Sequence, residues 1–246
     1  MEITGIMVQS AELLDIIKEA ENTYTYRFSI PKGMTWEAGT NAHLVANGSD
    51  ANYAPNKKYV RHLSICSLPE EGYMGFSTRI REGASVFKQN LKVCKPGDKL
   101  QVFGLKNRLP LPRENKPVVL ISMGVGVATF RPMILEYAKD QKGIPQLVNL
   151  NIDKAGSAIY WEELSKFHME GFSNHYVNTR QELREQIDQS LALNDAEYHI
   201  VGSDEFLLEI GTYLIQKGVQ NTQIKLDKKA TRAQAMVQQM AEAAHS

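Results

Sequence analysis

The chain has 246 residues, room for one large domain or two modest ones and enough to bury a real core. Apolar residues make up 43% and charged residues 23%, which excludes a disordered chain, a collagen-like repeat and a disulfide-dense miniprotein. The 28 Lys+Arg balance the 28 Asp+Glu, so the chain as a whole lacks the basic excess of a dedicated nucleic-acid binder.

Two cysteines, Cys66 and Cys94, are too few for a zinc knuckle or a cysteine-ligated iron–sulfur cluster. They fit two small buried side chains or one disulfide. No apolar run reaches the roughly 18–20 residues of a membrane span. Met1–Ser10 lacks the basic-then-apolar pattern of a signal peptide, so the expected location is the cytoplasm.

The first half reads as short strands separated by turn residues. Thr23–Ile30 alternates and is rich in β-branched and aromatic residues, and Pro31-Lys32-Gly33 stops it. Ala42–Ala46, Tyr59–Ser67, Gly75–Arg81 and Lys99–Phe103 continue the series, the last entered through the turn sequence Lys95-Pro96-Gly97-Asp98. This punctuation predicts an antiparallel barrel or sandwich. Leu109–Asn115 is proline-rich and polar and marks a domain boundary, giving domains 1–112 and 113–228.

Beyond it the pattern changes. Pro117–Ser122 is a continuous apolar run, as expected of a parallel strand buried on both faces. Strands at Gln146–Ile152, His175–Val177, Tyr198–Val201 and Thr222–Leu226 alternate with helices at Arg131–Gln141, Tyr160–Lys166, Glu182–Ser190 and Glu205–Lys217. That alternation predicts an α/β parallel sheet. The remaining segment, 229–246, carries Ala233, Met236, Met240 and Ala244 on one helical stripe. It fits a packed helix, a partner helix or a frayed tail.

Three segments carry chemistry. Pro117–Ser122 runs into Met123-Gly124-Val125-Gly126-Val127-Ala128-Thr129, where glycines let a ligand approach the backbone and a helix N-terminus favours a phosphate. Thr129 is expected to cap that helix, with Pro132 in its first turn. The third glycine of a full dinucleotide fingerprint is absent, and Asp153 lies later than the usual acidic residue. The second segment is Arg61-His62-Leu63-Ser64 on a strand, where Arg61 needs an anion, either a phosphate or a carboxylate. In the third, a strand ends at Gly83-Ala84-Ser85, and Ser85 is placed to cap a helix over Val86–Leu91.

Together these segments resemble the ferredoxin–NADP reductase family over roughly Glu12–Asp227. The resemblance implies an antiparallel flavin-binding β-barrel domain followed by an α/β parallel-sheet domain that binds a nicotinamide nucleotide. Arg61-His62-Leu63-Ser64 is similar to the family's Arg-x-Tyr-Ser/Thr motif, which would put Arg61 on the flavin diphosphate and Ser64, the one catalytic assignment, beside the hydride-exchanging nitrogen. Gly83-Ala84-Ser85 is similar to the second diphosphate-binding turn, and Gly124-Val125-Gly126 with Thr129 to the nucleotide loop. Thr179 and Arg180 match the pair that reads a ribose 2′-phosphate. Tyr198–Phe206, with Gly202, is similar to the late strand and loop beside the nicotinamide, and Phe103-Gly104-Leu105 with the prolines that follow is similar to the inter-domain crossing.

The chain also departs from the pattern. Leu63 stands where a tyrosine commonly stacks on the flavin, Thr129 where the loop has proline, and Val201 and Ser203 where a cysteine and a proline flank the glycine. No C-terminal aromatic is placed to cover the flavin. The resemblance implies FAD as cofactor, NADP or NAD as hydride donor with NADP favoured by Thr179 and Arg180, and no metal. It implies a ferredoxin, flavodoxin or oxygenase component as electron partner, with no nucleic acid and no membrane span. Lys57, Lys58, Lys88, Lys92 and Lys95 could offer such a carrier a basic face. A non-catalytic flavin-binding subunit is the alternative that Leu63 and Val201 suggest. A dehydrogenase without flavin would draw its base from His43, His62, His168, His175 or His199, none of which shows a partner in the sequence.

Overall fold

A computed structural model describes residues 2–3, 6–46, 58–154 and 156–245. The chain divides into two units, Met1–Pro110 and Leu111–Ser246.

In the first unit a short ribbon, β1 (Glu2–Ile3) with β2 (Ile6–Met7), precedes six strands. These are β3 (Gln9–Ala20), β4 (Thr23–Phe28), β5 (Thr40–Val45), β6 (Val60–Ser64), β7 (Met74–Arg79) and β8 (Lys99–Asn107). Their order is β6-β5-β8-β3-β4-β7, with every neighbour antiparallel. Just past β6, the Cys66 N–H donates to the Gly75 carbonyl of β7 at 2.9 Å, so the two edges meet and the sheet curls toward a barrel. Alternating side chains point inward: Leu13, Phe28, Leu44, Met74, Phe76 and Val102 are fully buried. Helix α1 (Val86–Val93) closes the core with Phe87 and Leu91.

Strand β3 has no counterpart in the sequence reading. Register shifts at Leu13/Asp15 and Lys18/Ala20 break its two-residue period, so Leu14, at 47%, and Asp15 are exposed side by side. Of the segment matched above to a crossing between domains, Phe103-Gly104-Leu105 lies inside β8, and the prolines that follow reach the division between Pro110 and Leu111. Gly104 takes φ +60° there, and a Cβ would sit 3.1 Å from the His43 ring. Both cysteines are free thiols, and burial, then the nearby Asp98 charge, pushes Cys94 up to about 11.

The second unit is a parallel sheet of β9 (Val118–Met123), β10 (Leu147–Ile152), β11 (Phe172–Val177), β12 (Glu197–Val201) and β13 (Ile224–Leu226), ordered β11-β10-β9-β12-β13. The crossovers carry α2 (Val127–Lys139), α3 (Trp161–Leu164), α4 (Arg180–Ser190) and α5 (Asp204–Gln216). The order reverses between β9 and β12, and ligands of such sheets bind outside the strand C-termini at that switch point. Helix α2 begins earlier than expected. Gly126 occupies its N-cap position, Thr129 is buried inside it rather than capping it, and Pro132 falls in the second turn.

The chain ends in α6 (Ala230–Ala244), which belongs to the second unit rather than standing outside it. Met236 and Met240 join the core formed by α5 and the sheet. Contact is so close at Gly211 that a Cβ there would lie 2.2 Å from the Met240 sulfur. No helix among the described residues is long and apolar enough to cross a membrane. Met240→Ala should cost about 2–5 kcal/mol, read as a lower urea midpoint, because the cavity left against Gly211 cannot fill. A midpoint equal to wild type would show that α6 is not part of the core.

Candidate functional site

In the first unit the candidate site surrounds the N-terminus of α1. Gly83 turns the chain at φ +70°, a left-handed conformation that favours glycine, and Ala84 and Ser85 follow. Ser85 occupies the N-cap position expected of it, but its hydroxyl makes no capping hydrogen bond. Its Oγ is buried without a hydrogen-bond partner. Such an atom costs free energy unless something fills the space beside it.

Positive charge converges on the same place. Arg61, on β6, extends over the Phe87 ring with 6.0 Å from guanidinium to ring centroid, and donates to the Val60 carbonyl at 2.7 Å. Lys88, one turn into α1, donates to the Arg79 carbonyl at 2.7 Å. Burial, then the charges of Arg61, Arg81 and Arg79, hold the Lys88 ammonium below its ordinary value. The three guanidinium charges act on the Lys88 ammonium through repulsion, and a bound anion would ease that repulsion. A cavity of about 390 Å³ borders the same turn, lined by Arg81, Glu82, Gly83, Ala84, Gln89 and Lys92 among others, so one carboxylate stands among the cations.

The remainder of the motif divides between the two faces of β6. Leu63 packs against the barrel core, on the side of Arg61. His62 points the other way and meets His43 on β5, ring centroids 5.0 Å apart, while His43 stacks on Phe103 at 4.9 Å. Ser64 ends the strand opposite Asn41. Of the lysines proposed as a basic face, Lys58, Lys92 and Lys95 are exposed, Lys88 is engaged as described, and Lys57 lies outside the described residues.

In the second unit Gly124-Val125-Gly126 forms a 3-10 turn between β9 and α2. Gly124 has φ +59°. Gly126 lies so near β12 that a Cβ would sit 3.0 Å from the Val201 carbonyl oxygen. At Gly202 a Cβ would sit 2.5 Å from the Phe206 ring. Gly126 thus brings the glycine turn close to the end of β12, while Gly202 lets α5 fold back on the end of the same strand. No side chain caps the α2 N-terminus; the Val127 N–H there donates to the Gly124 and Val125 carbonyls of the preceding turn.

Thr179 and Arg180 open α4. The Thr179 hydroxyl accepts from the Glu182 N–H at 3.1 Å, and Glu182 accepts in return from Asn178 and Thr179, a reciprocal cap. These backbone hydrogen bonds hold the Glu182 carboxyl below its ordinary value. Arg180 is turned toward the C-terminal end of β9, and its Nε lies 3.2 Å from a Glu209 carboxylate oxygen.

Two polar features escaped the sequence reading because they depend on strand register. The Asn151 side chain on β10 donates to Ser122 Oγ at 2.9 Å and to the Gly124 carbonyl at 3.2 Å, bracing the glycine turn from the neighbouring strand. On β12, His199 Nε2 lies 2.6 Å from the Glu197 carboxylate, which also faces Lys225 at 3.6 Å. The i, i+2 spacing was visible, but nothing in the sequence marked that face as enclosed.

The sequence matches no protein-family model and no curated protein. Solved structures do match. The CS-b5R domains of human Ncb5or in the NAD+ form share 16% identity over 92% of this chain and 70% of that one, with a TM-score of 0.74. Ferredoxin-NADP+ reductase from Plasmodium falciparum shares 15% identity over 89% of this chain and 95% of that one, with a TM-score of 0.74. Flavohemoglobin from Malassezia yamatoensis, with bound FAD and heme, shares 15% identity over 90% of this chain and 60% of that one, with a TM-score of 0.73. The chain has the fold of these reductases, an antiparallel barrel unit followed by a parallel α/β unit.

The buried Glu197–His199 pair sets an acid sensitivity. Burial pushes the Glu197 carboxyl up, but the hydrogen bond and charge of His199, and then Lys225, hold it below its ordinary 4.5. Its contribution is therefore complete above that value and is lost as acid protonates it. Glu197→Gln should destabilise the protein at neutral pH and flatten the decline in urea stability as pH falls through and below 4.5. An unchanged acid slope would remove Glu197 as its source.

Proposed function

We propose that the chain is a flavin-dependent oxidoreductase in which NAD(P)H reduces FAD and the electrons leave to a separate carrier protein. The observation that carries this reading is the α1 N-terminus: four crowded cations beside a buried hydroxyl with no partner. A diphosphate answers both features, supplying negative charge to Arg61 and Lys88 and an acceptor for Ser85. Gly83 would present its backbone N–H to the same ligand, while the Ala84 N–H, which donates to the Arg81 carbonyl at 3.2 Å, holds the turn. Arg61 suits the role because its planar fork grips phosphate through two donors.

When bound, FAD supplies a ring that takes up hydride and releases electrons singly. Around it, Ser64 would hold a hydrogen bond to the reacting edge, and Leu63 would cover the ring with aliphatic surface. His62, packed on His43, fixes the strand that carries both. In the second unit Gly124, Val125 and Gly126 would hold the dinucleotide diphosphate at the α2 N-terminus, with Gly202 allowing close approach. Thr129 would act from within α2, by packing. The NAD+ form of the Ncb5or neighbour and the FAD of the flavohemoglobin neighbour support these ligand classes. A ferredoxin, flavodoxin or oxygenase component is the proposed carrier, with Lys58, Lys92 and Lys95 as its docking charges.

Leu63 and Val201 favour one other reading, a flavin-binding subunit that accepts no hydride. Anaerobic addition of NADH or NADPH to the FAD-loaded protein separates the two, since bleaching of the flavin supports the reductase and a persistently oxidised flavin the subunit. Binding is tested by fluorescence titration with FAD. Arg61→Ala and Ser85→Ala should each weaken FAD by about tenfold or more, the scale of a lost charge-assisted hydrogen bond or an orphaned buried acceptor. Equal affinity in Arg61→Ala and wild type would falsify the diphosphate site.

A further inference from the structure

The position of Arg180 bears on which nucleotide the second unit accepts, and the inference rests on the nucleotide reading above. Arg180 Nη2 lies 3.6 Å from the sulfur of Met123, the residue just before Gly124. Its guanidinium stacks 4.8 Å from the Phe206 ring, the same ring that crowds Gly202. The cation is thus set against both turns that flank the switch point. One of its nitrogens, Nη1, is buried without a hydrogen-bond partner.

Glu209, on α5, already faces this cation. Its carboxylate lies 3.2 Å from Arg180 Nε and 3.3 Å from Arg184 Nη2, so one acid serves two guanidinium groups. All three side chains remain partly exposed, at 40% for Arg180, 32% for Glu209 and 47% for Arg184, so solvent ligands can reach them. A phosphate arriving on Arg180 would meet the Glu209 carboxylate across the same guanidinium, and like charges at that range repel. The diphosphate of a dinucleotide, held by the amides of the α2 N-terminus, does not need this arginine.

We propose that Glu209 is a specificity-determining residue: it occupies Arg180 as an internal anion and steers the site toward nucleotides without a ribose phosphate, NADH over NADPH. This reverses the preference that Thr179 and Arg180 suggest in the sequence. The Thr179 hydroxyl is engaged in capping α4 and the Arg180 guanidinium in pairing with Glu209.

The test is calorimetric titration of the full chain with AMP and with 2′-phospho-AMP, which differ only in the phosphate at issue. Wild type should bind AMP at least as tightly as 2′-phospho-AMP. Glu209→Gln keeps the side-chain shape and should improve 2′-phospho-AMP about tenfold while leaving AMP nearly unchanged. Arg184→Gln, which leaves Glu209 to Arg180 alone, should move the ratio the opposite way. A loss of folding would weaken both ligands together and cannot mimic this pattern. AMP binding with the same ratio in wild type and Glu209→Gln overturns the role of Glu209 alone. Binding of neither ligand to either protein overturns the nucleotide reading and this inference with it.

Discussion

Repulsion among cations at one helix end is the constraint on which the first unit turns. Arg61 comes from β6, Arg79 and Arg81 from the end of β7, and Lys88 from α1, so three separate elements deliver charge to one place. A fold selected for stability alone would spread these groups into solvent. Here Lys88 is half-buried and its ammonium is destabilised, while Ser85 places a hydroxyl out of water with no partner. Both features cost folding free energy in the isolated chain. The proposed diphosphate would offset both costs, because its several oxygen atoms could reach the ammonium and the hydroxyl together.

The second unit solves a different problem, bringing two chain turns close enough to share one ligand. Parallel strands need crossovers, and a sheet that reverses its order opens a crevice at the switch point. Gly126 against Val201 brings the glycine turn to backbone distance of β12, and Gly202 leaves room for the Phe206 ring at the start of α5. Asn151 braces the turn from β10, and α6 supports α5 from behind through Met240. Ionic contacts continue this support: Asp204, in the first turn of α5, accepts from Lys228 at 2.7 Å and from Arg232 at 2.9 Å. The turn carrying Gly202 is therefore fixed at its helical end by the C-terminal segment.

Much of this was legible in the sequence because local pattern and tertiary role agree. The β-branched and aromatic run of Thr23–Phe28 and the unbroken apolar run of Val118–Ile121 each mark a strand, the second buried on both faces. Strand β3 was hidden because its bulges erase the alternation that identifies a strand. Thr129 looked like a cap because threonine commonly caps helices, yet α2 begins at Val127, where buried packing rather than side-chain capping sets the start. The partner of Arg180 could not be read at all. Glu209 lies 29 residues further on, on another helix, and only the side-by-side packing of α4 and α5 brings the charges together. Long-range ion pairs and cross-strand braces such as Asn151 depend on register, which a single sequence does not display.

The central claim is that the cationic hollow at the α1 N-terminus holds the diphosphate of a flavin coenzyme. It is tested most directly by incubating the purified chain with FAD, removing free coenzyme by gel filtration and recording the visible spectrum of the protein peak. A flavoprotein of this design retains close to one equivalent of yellow coenzyme and loses it at high salt, where screening weakens the cations' hold. A colourless peak at low salt, from protein whose circular dichroism shows it folded, would contradict the claim.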